Sequence, residues 1–230
     1  MHTPAWKIVA LGKTHNDILN KFPNYLEDLS RRRGEDFPLC STQLALEVIR
    51  NIPDDALLIY TDGSRNEHSH SGSGINIKSQ NYSSQIKLRN SDGCSFFRSE
   101  LIAIDTGLKE ALSVPGSNSI WILSDSRSAI QLLSNWHKVS DNTGVAILEK
   151  LKHLSSSLEI YLQRVPSHVN IVGNEIADSL AKDGAAQHTI NSAALTYSEL
   201  HSTYINNKQS TVPPAHHWYE AKRPVILGKN

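Results

Sequence analysis

Residues 57–64 read LLIYTDGS, five residues of strand character running into Asp62-Gly63-Ser64. Residues 120–126, IWILSDS, repeat the arrangement, with Ser124-Asp125-Ser126 closing a second apolar run. Short apolar runs bounded by turn residues read as buried strands. In open α/β sheets, ligands gather just beyond the carboxyl ends of parallel strands. If these two strands are parallel neighbours, they lie about 4.8 Å apart, and Asp62 and Asp125 project from one edge. Taken singly, each aspartate equally well opens a turn or caps a helix.

Working outward, the polar stretch Arg65–Ser73 reads as a loop after the first strand. Ile75–Lys78 and Ser83–Leu88 alternate apolar and polar residues around a turn at Asn81, the period of strands with one wet face. Phe97, Leu101, Ile104, Leu108 and Leu112 recur at helical intervals, and Pro115-Gly116 stops that helix. After the strand at Ile120–Leu123, Asp125 or Ser126 caps a helix through Ala129, Ile130, Leu133 and Trp136. A helix through Val145, Leu148, Leu151 and Leu154 leads to a strand at Leu158–Val165, and a last helix spans about Val172–Ala186. The order β-β-β-α-β-α-α-β-α predicts an α/β fold, a mixed sheet with helices on its faces.

These elements define a domain over residues 56–188. The flank 1–55 contains a basic run, Arg31-Arg32-Arg33, and a possible helix at Thr42–Arg50. The flank 189–230 contains Pro213-Pro214 and the cluster His216-His217-Trp218-Tyr219. A zinc reading of that histidine pair is unsupported, because no second ligand pair is evident.

The 230 residues carry 23 Lys+Arg against 23 Asp+Glu, which excludes a globally basic protein that coats polyanions. No apolar run approaches the roughly 20 residues of a membrane span, so no membrane association is expected. The N-terminus lacks a secretory pattern. Cys40 and Cys94 are isolated, outside any CxxC motif, so neither a disulfide scaffold nor a cysteine zinc site is expected. An intracellular protein is expected.

Two further carboxylates join the aspartates. Glu100 lies three residues after Phe97 and four before Ile104, which directs it along the apolar face of its helix. Charged residues are seldom buried without a partner. Asp105 and Glu110 fit the wet side of the same helix. In Gly173-Asn174-Glu175-Ile176-Ala177-Asp178, Asn174 and Asp178 share a helix face, and Gly173 permits close approach at the helix start. Two like charges 4 Å apart repel by about 4 kcal/mol at an effective dielectric near 20. Four converging carboxylates therefore require protons or cations. An all-oxygen set suits Mg²⁺ or Mn²⁺ better than zinc, and two such ions serve phosphodiester cleavage.

Together, Tyr60-Thr61-Asp62-Gly63-Ser64, Ser99-Glu100-Leu101, Leu123-Ser124-Asp125-Ser126 and Ser167-His168 through Asp178 resemble type 1 ribonuclease H, most closely the domain found in non-LTR retrotransposons. The resemblance covers about residues 56–188. It implies a five-stranded mixed sheet and endonucleolytic cleavage of the RNA strand of RNA–DNA hybrids with two Mg²⁺ ions, Mn²⁺ substituting. Asp62, Glu100, Asp125 and Asp178 become the metal-binding and catalytic quartet, with Asp62 bridging both ions and Asp178 favouring the ion that holds the attacking water. His168 matches a mobile-loop histidine that assists proton movement and product release. Where the family usually has Gly and Pro, this chain has Asn170 and Val172. Asn tolerates left-handed backbone, and losing Pro loosens the helix start without removing a ligand.

Gly63, Ser64, Arg65, Arg98, Arg127 and Asn174 lie beside proposed ligands and are candidate nucleic-acid contacts. Residues 56–188 hold twelve Lys/Arg against thirteen Asp/Glu. With the quartet set aside, the balance turns mildly basic, which predicts modest affinity and moderate salt dependence. The alternative is a decayed retroelement domain that serves as a nucleic-acid or protein interaction module. A third reading, an integrase-like or exonuclease enzyme, is disfavoured by the His168–Asp178 block. No particular protein partner is indicated.

Overall fold

The computed structural model describes residues 7–9, 45–188 and 194–210. Arg31–Arg33, Cys40, the first residues of the expected helix at Thr42, Pro213-Pro214 and His216–Tyr219 lie outside the described residues. The chain divides into two units between Leu195 and Thr196.

The larger unit is built on a six-stranded sheet in the order β1-β6-β5-β2-β3-β4, with strands β1 (Lys7–Val9), β2 (Leu57–Arg65), β3 (Ser71–Lys78), β4 (Ser83–Arg89), β5 (Ser119–Ser124) and β6 (Glu159–Arg164). β1, β6, β5 and β2 run parallel, whereas β3 and β4 are antiparallel to their neighbours. Helices α1 (Phe96–Ala111), α2 (Arg127–Ser134), α3 (Asn142–Leu154) and α4 (Val172–Ala186) complete it. The expected element order holds, and the five strands of the domain are the five anticipated. β1 is an addition, three residues pairing with Tyr161–Gln163, too short to leave a periodic signature.

The central strands read as continuous apolar runs because both faces are covered. Leu57, Ile59, Ile120, Ile122, Ile160 and Leu162 join the cluster that includes Leu101, Ile104 and Leu108 of α1, Leu133 of α2 and Ile147 and Leu151 of α3. The alternate residues Tyr60, Trp121 and Leu123 face a second cluster with Ala177 of α4. Ala45, Val48 and Ile52, from a helical segment over 45–50 and the turn after it, are buried there too. Trp121 and Tyr161, register partners on β5 and β6, stack at 4.4 Å.

Several boundaries and faces differ from expectation. β2 does not end at Asp62-Gly63 but continues to Arg65, and β3 begins at Ser71, which leaves a five-residue loop where a nine-residue one was expected. Asn66 closes that loop, its side-chain oxygen accepting from the His70 amide at 2.9 Å. The extension is polar in sequence yet buried at Ser71–Gly74, because α4 lies directly on those residues. A Cβ at Gly72 or Gly74 would overlap the α4 backbone at Ala181 or Ala177. Phe97, Leu112 and Val145, read as core, are exposed. α1 first meets the sheet at Ser99 and Glu100, packed on Gly63, so its opening turn overhangs. Asp105 and Glu110 are not free in solvent: Lys150 Nζ lies 2.7 Å from Asp105, and the Tyr82 hydroxyl donates to Glu110 at 2.6 Å.

The smaller unit contains helix α5 (Tyr197–Ser210). Its start is a reciprocal cap: Thr196 Oγ1 accepts from the Glu199 amide and Glu199 Oε2 accepts from the Thr196 amide.

Candidate metal centre

Four elements deliver the carboxylates. The parallel ladder between β2 and β5 ends at Thr61↔Ser124, so Asp62 and Asp125 leave it side by side. Ser126, not Asp125, caps α2, accepting from the Ala129 amide, which leaves the Asp125 carboxylate available. Gly63 lets α1 approach closely enough to bring in Glu100; a Cβ there would stand 2.8 Å from the Glu100 amide nitrogen. The small residues of β3 admit α4, which carries Asp178.

One ligand oxygen from each of Asp62, Glu100 and Asp125 falls within 4.8 Å of the others. Asp62 is 5% exposed and Glu100 is 1% exposed. Burial, then the neighbouring charges of Asp125 and Asp178, push Asp62 up to about 8, against the lowering effect of the Gly63 amide. A hydrogen bond between the Asp62 and Asp178 carboxyls, which needs a proton on Asp62, acts in the same direction. Burial and the charges of Asp62 and Asp125 push Glu100 up to about 9. Burial also raises Asp125, opposed by a hydrogen bond from Asn174. Burial and mutual repulsion thus favour the protonated forms of Asp62 and Glu100, and bound cations would favour the charged ones.

The donor set fits hard divalent cations. All four ligands are oxygens, and Glu100 Oε2 is buried with no hydrogen-bond partner, the condition that an ion would relieve. A cleft of about 500 Å³ opens over the carboxylates.

The same cleft is lined by Gly63, Ser64, Arg65, Arg127 and His168, as the sequence places them. Asn174 is buried and holds Asp125 from behind. Arg98 is not brought to the cleft; it is 8% exposed and its side chain is enclosed by the fold. His168 is exposed, and its ring, Glu175 and Asp178 offer a second group of ligand atoms within 4.8 Å of one another. His168 and Asn170 have φ of 56° and 60°, left-handed values. Asn170 accommodates that geometry as expected; the same strain at His168 was not foreseen.

Sequence reasoning missed Glu175 and Lys182. Lys182 Nζ lies 2.6 Å from Asp178 Oδ2, and this pairing raises the lysine pKa. The i,i+4 spacing of Asp178 and Lys182, acid first, is the signal that reveals it.

A mixed sheet with carboxylates gathered where its central parallel ladder stops defines an acidic centre suited to divalent cations. The RNase H family model matches residues 54–186, more than half of the chain, and the chain belongs to that family. It is 26% identical over 147 residues to human Ribonuclease H1, covering 58% of this chain and 51% of that protein, so it spans about half the length of that relative. Among solved structures it is similar to RNase H1 of Halobacterium salinarum, at 19% identity and TM-score 0.42, covering 56% of this chain and 96% of that one. It is also similar to the N-terminal RNase H domain of a Mycobacterium tuberculosis protein solved as a maltose-binding-protein fusion, at 19% identity and TM-score 0.46, covering 56% and 98%.

Proposed function

We propose that this chain is a Mg²⁺-dependent endonuclease that cleaves the RNA strand of RNA–DNA hybrids, with Mn²⁺ able to substitute. The observation that carries the reading is the convergence of Asp62, Glu100 and Asp125, one ligand oxygen from each within 4.8 Å of the others, on one open cleft. Two bound divalent ions would neutralise these carboxylates, lower the pKa of an attacking water and offset charge on the leaving oxygen.

The chain's own residues do the rest. Asp62 interacts with both Asp125 and Asp178 and would hold the ions together with them. Glu100 and Asp125 flank it, and Asn174 fixes the Asp125 carboxylate. His168, exposed beside Glu175 and Asp178, takes or gives a proton at the mouth of the site. Arg65 and Arg127, both exposed on the cleft, attract backbone phosphates without reading sequence. Selection of the RNA strand requires contacts sensitive to its 2′-hydroxyls or to hybrid shape.

The spelling of the four motif blocks supports descent from a non-LTR retrotransposon, with residues 56–188 as the catalytic domain between two flanks. The test is a substrate panel: Mg²⁺-dependent cutting of a labelled RNA–DNA hybrid, with RNA–RNA and DNA–DNA duplexes left intact, is expected. Failure of folded protein to cut the hybrid with either ion would favour the binding-module reading.

A further inference from the structure

The residues of β3 divide between the two faces of the sheet. Gly72 and Gly74 lie under α4, and Ser73 between them points to the opposite face, where α1 packs. Ser73 is buried and pairs in register with Gly63 of β2. Its hydroxyl lies 2.6 Å from the Ser99 carbonyl, and Nδ2 of the buried Asn90 lies 3.0 Å from Ser73 Oγ. A carbonyl cannot donate, so the single Ser73 proton goes to Ser99 and Asn90 donates to Ser73. Asn90 is itself anchored, its amide donating to the Ser71 carbonyl at 3.0 Å and its carbonyl accepting from Arg89. Buried groups thus form a one-way relay from Asn90 through Ser73 to Ser99.

The Ser99 carbonyl and the Glu100 amide belong to one planar peptide. Both members of the Gly63–Ser73 pair lie against it. Ser73 binds its oxygen, and Gly63 approaches its nitrogen so closely that a Cβ would stand 2.8 Å away. Glu100 Oε2, by contrast, is buried with no hydrogen-bond partner, so the place of this carboxylate depends on how its backbone is held. We propose that Ser73 and Asn90 are positioning residues for Glu100, fixing the peptide from which its carboxylate reaches the metal centre. The inference rests on the nuclease reading and adds to it two residues that do not line the cleft. A ligand already held in place binds without the ordering cost that a mobile one carries. Loss of the relay therefore weakens cation binding while leaving the substrate's own contacts untouched.

The experiment follows Mg²⁺ binding to the full chain by thermal shift and, beside it, steady-state cleavage of an RNA–DNA hybrid. Ser73→Ala is expected to melt about 5 °C lower without cations. It also raises the half-saturating Mg²⁺ concentration about tenfold, the lower end of what loss of a group behind a metal ligand costs. At low Mg²⁺ its kcat falls while KM for the hybrid stays within about twofold of the parent, and added Mg²⁺ restores kcat. Ser73→Ala combined with Asn90→Leu removes the relay without stranding a buried polar group, so it regains the melting temperature and keeps the Mg²⁺ defect. Ile147→Val, in the core on α3, loses comparable stability and binds Mg²⁺ as the parent does. Half-saturation within about twofold of the parent in Ser73→Ala overturns the proposal. So does a Mg²⁺ defect that disappears in the double variant or appears equally in Ile147→Val. If the unsubstituted protein binds Mg²⁺ and cuts the hybrid while both Ser73 variants match it, the positioning role alone falls. If the unsubstituted protein neither binds Mg²⁺ nor cuts the hybrid, the nuclease reading falls and takes the positioning role with it.

Discussion

Asp62 and Asp125 each stand one residue beyond Thr61↔Ser124, the last register pair joining β2 to β5. The ladder stops where the carboxylates begin, so backbone pairing fixes their proximity before any side chain is placed. Their surroundings differ. Asp62 stays within β2, opposite Gly74 of β3 and 5% exposed, while Asp125 lies past the end of β5, half-buried and held by Asn174. One edge thus carries a deep carboxyl and a more accessible one.

The deep carboxyl makes metal-free stability depend on pH. Asp62 keeps its proton up to about 8 in the fold, against 3.8 for an unperturbed side chain. Between those values the native state binds more protons than the unfolded chain. The contribution is therefore complete below about pH 4 and lost as pH rises through about 8. In EDTA, Asp62→Asn is expected to gain on the parent across that window, melting about 5 °C higher relative to it at pH 8 than at pH 5. Thermal melts at the two pH values check this; a gap that narrows with rising pH contradicts the crowded centre.

Lys182 supplies a positive charge where a divalent cation would approach Asp178, 2.6 Å from Oδ2. The lysine is 60% exposed, so the pair adds little to stability. Lys182→Ala is expected to leave the melting temperature without cations within about 2 °C of the parent and to lower the half-saturating Mg²⁺ concentration about threefold. Mg²⁺ titration followed by thermal shift measures both.

Gly74 is where α4 sits directly on the sheet, and a Cβ there would overlap the Ala177 carbonyl. Both sides of the clash are backbone, so the helix must move. Gly74→Ala is expected to cost about 3 kcal/mol and to displace Asp178, with nuclease activity lost even below the melting transition. Chemical denaturation and activity assays on the same sample test this.

Val172 occupies the first position of α4, 73% exposed, after Ile171 with ψ of 100° and no side-chain cap. The extended backbone at Ile171 is what a following proline requires, and proline at a helix start removes only an amide without an intrahelical partner. Val172→Pro is expected to stabilise the protein by about 0.5–1 kcal/mol, read as a higher denaturant midpoint with the slope unchanged.

Three of the four carboxylates were legible because each breaks a local rule: Glu100 interrupts an apolar helix face, and Asp62 and Asp125 close matching strands; Asp178 was legible through the motif block that carries it. Their convergence followed from parallel pairing of two short runs, which the structure bears out at Thr61↔Ser124. Ser71–Gly74 looked like loop because their burial comes from backbone against helix, which hydropathy does not register. Phe97 and Arg98 exchanged expected roles, the aromatic exposed and the cation enclosed, because sequence periodicity does not show where a helix first meets its sheet. β1 has three residues, fewer than any period needs.

Strand-resolved cleavage of an RNA–DNA hybrid, with the two strands carrying different labels, tests the central claim most directly. It compares unsubstituted protein with Asp62→Asn, each with Mg²⁺ and with EDTA. The account predicts cuts in the RNA strand alone, only with Mg²⁺ and only by the unsubstituted protein. Cutting that survives in Asp62→Asn, or that falls on the DNA strand, would contradict it.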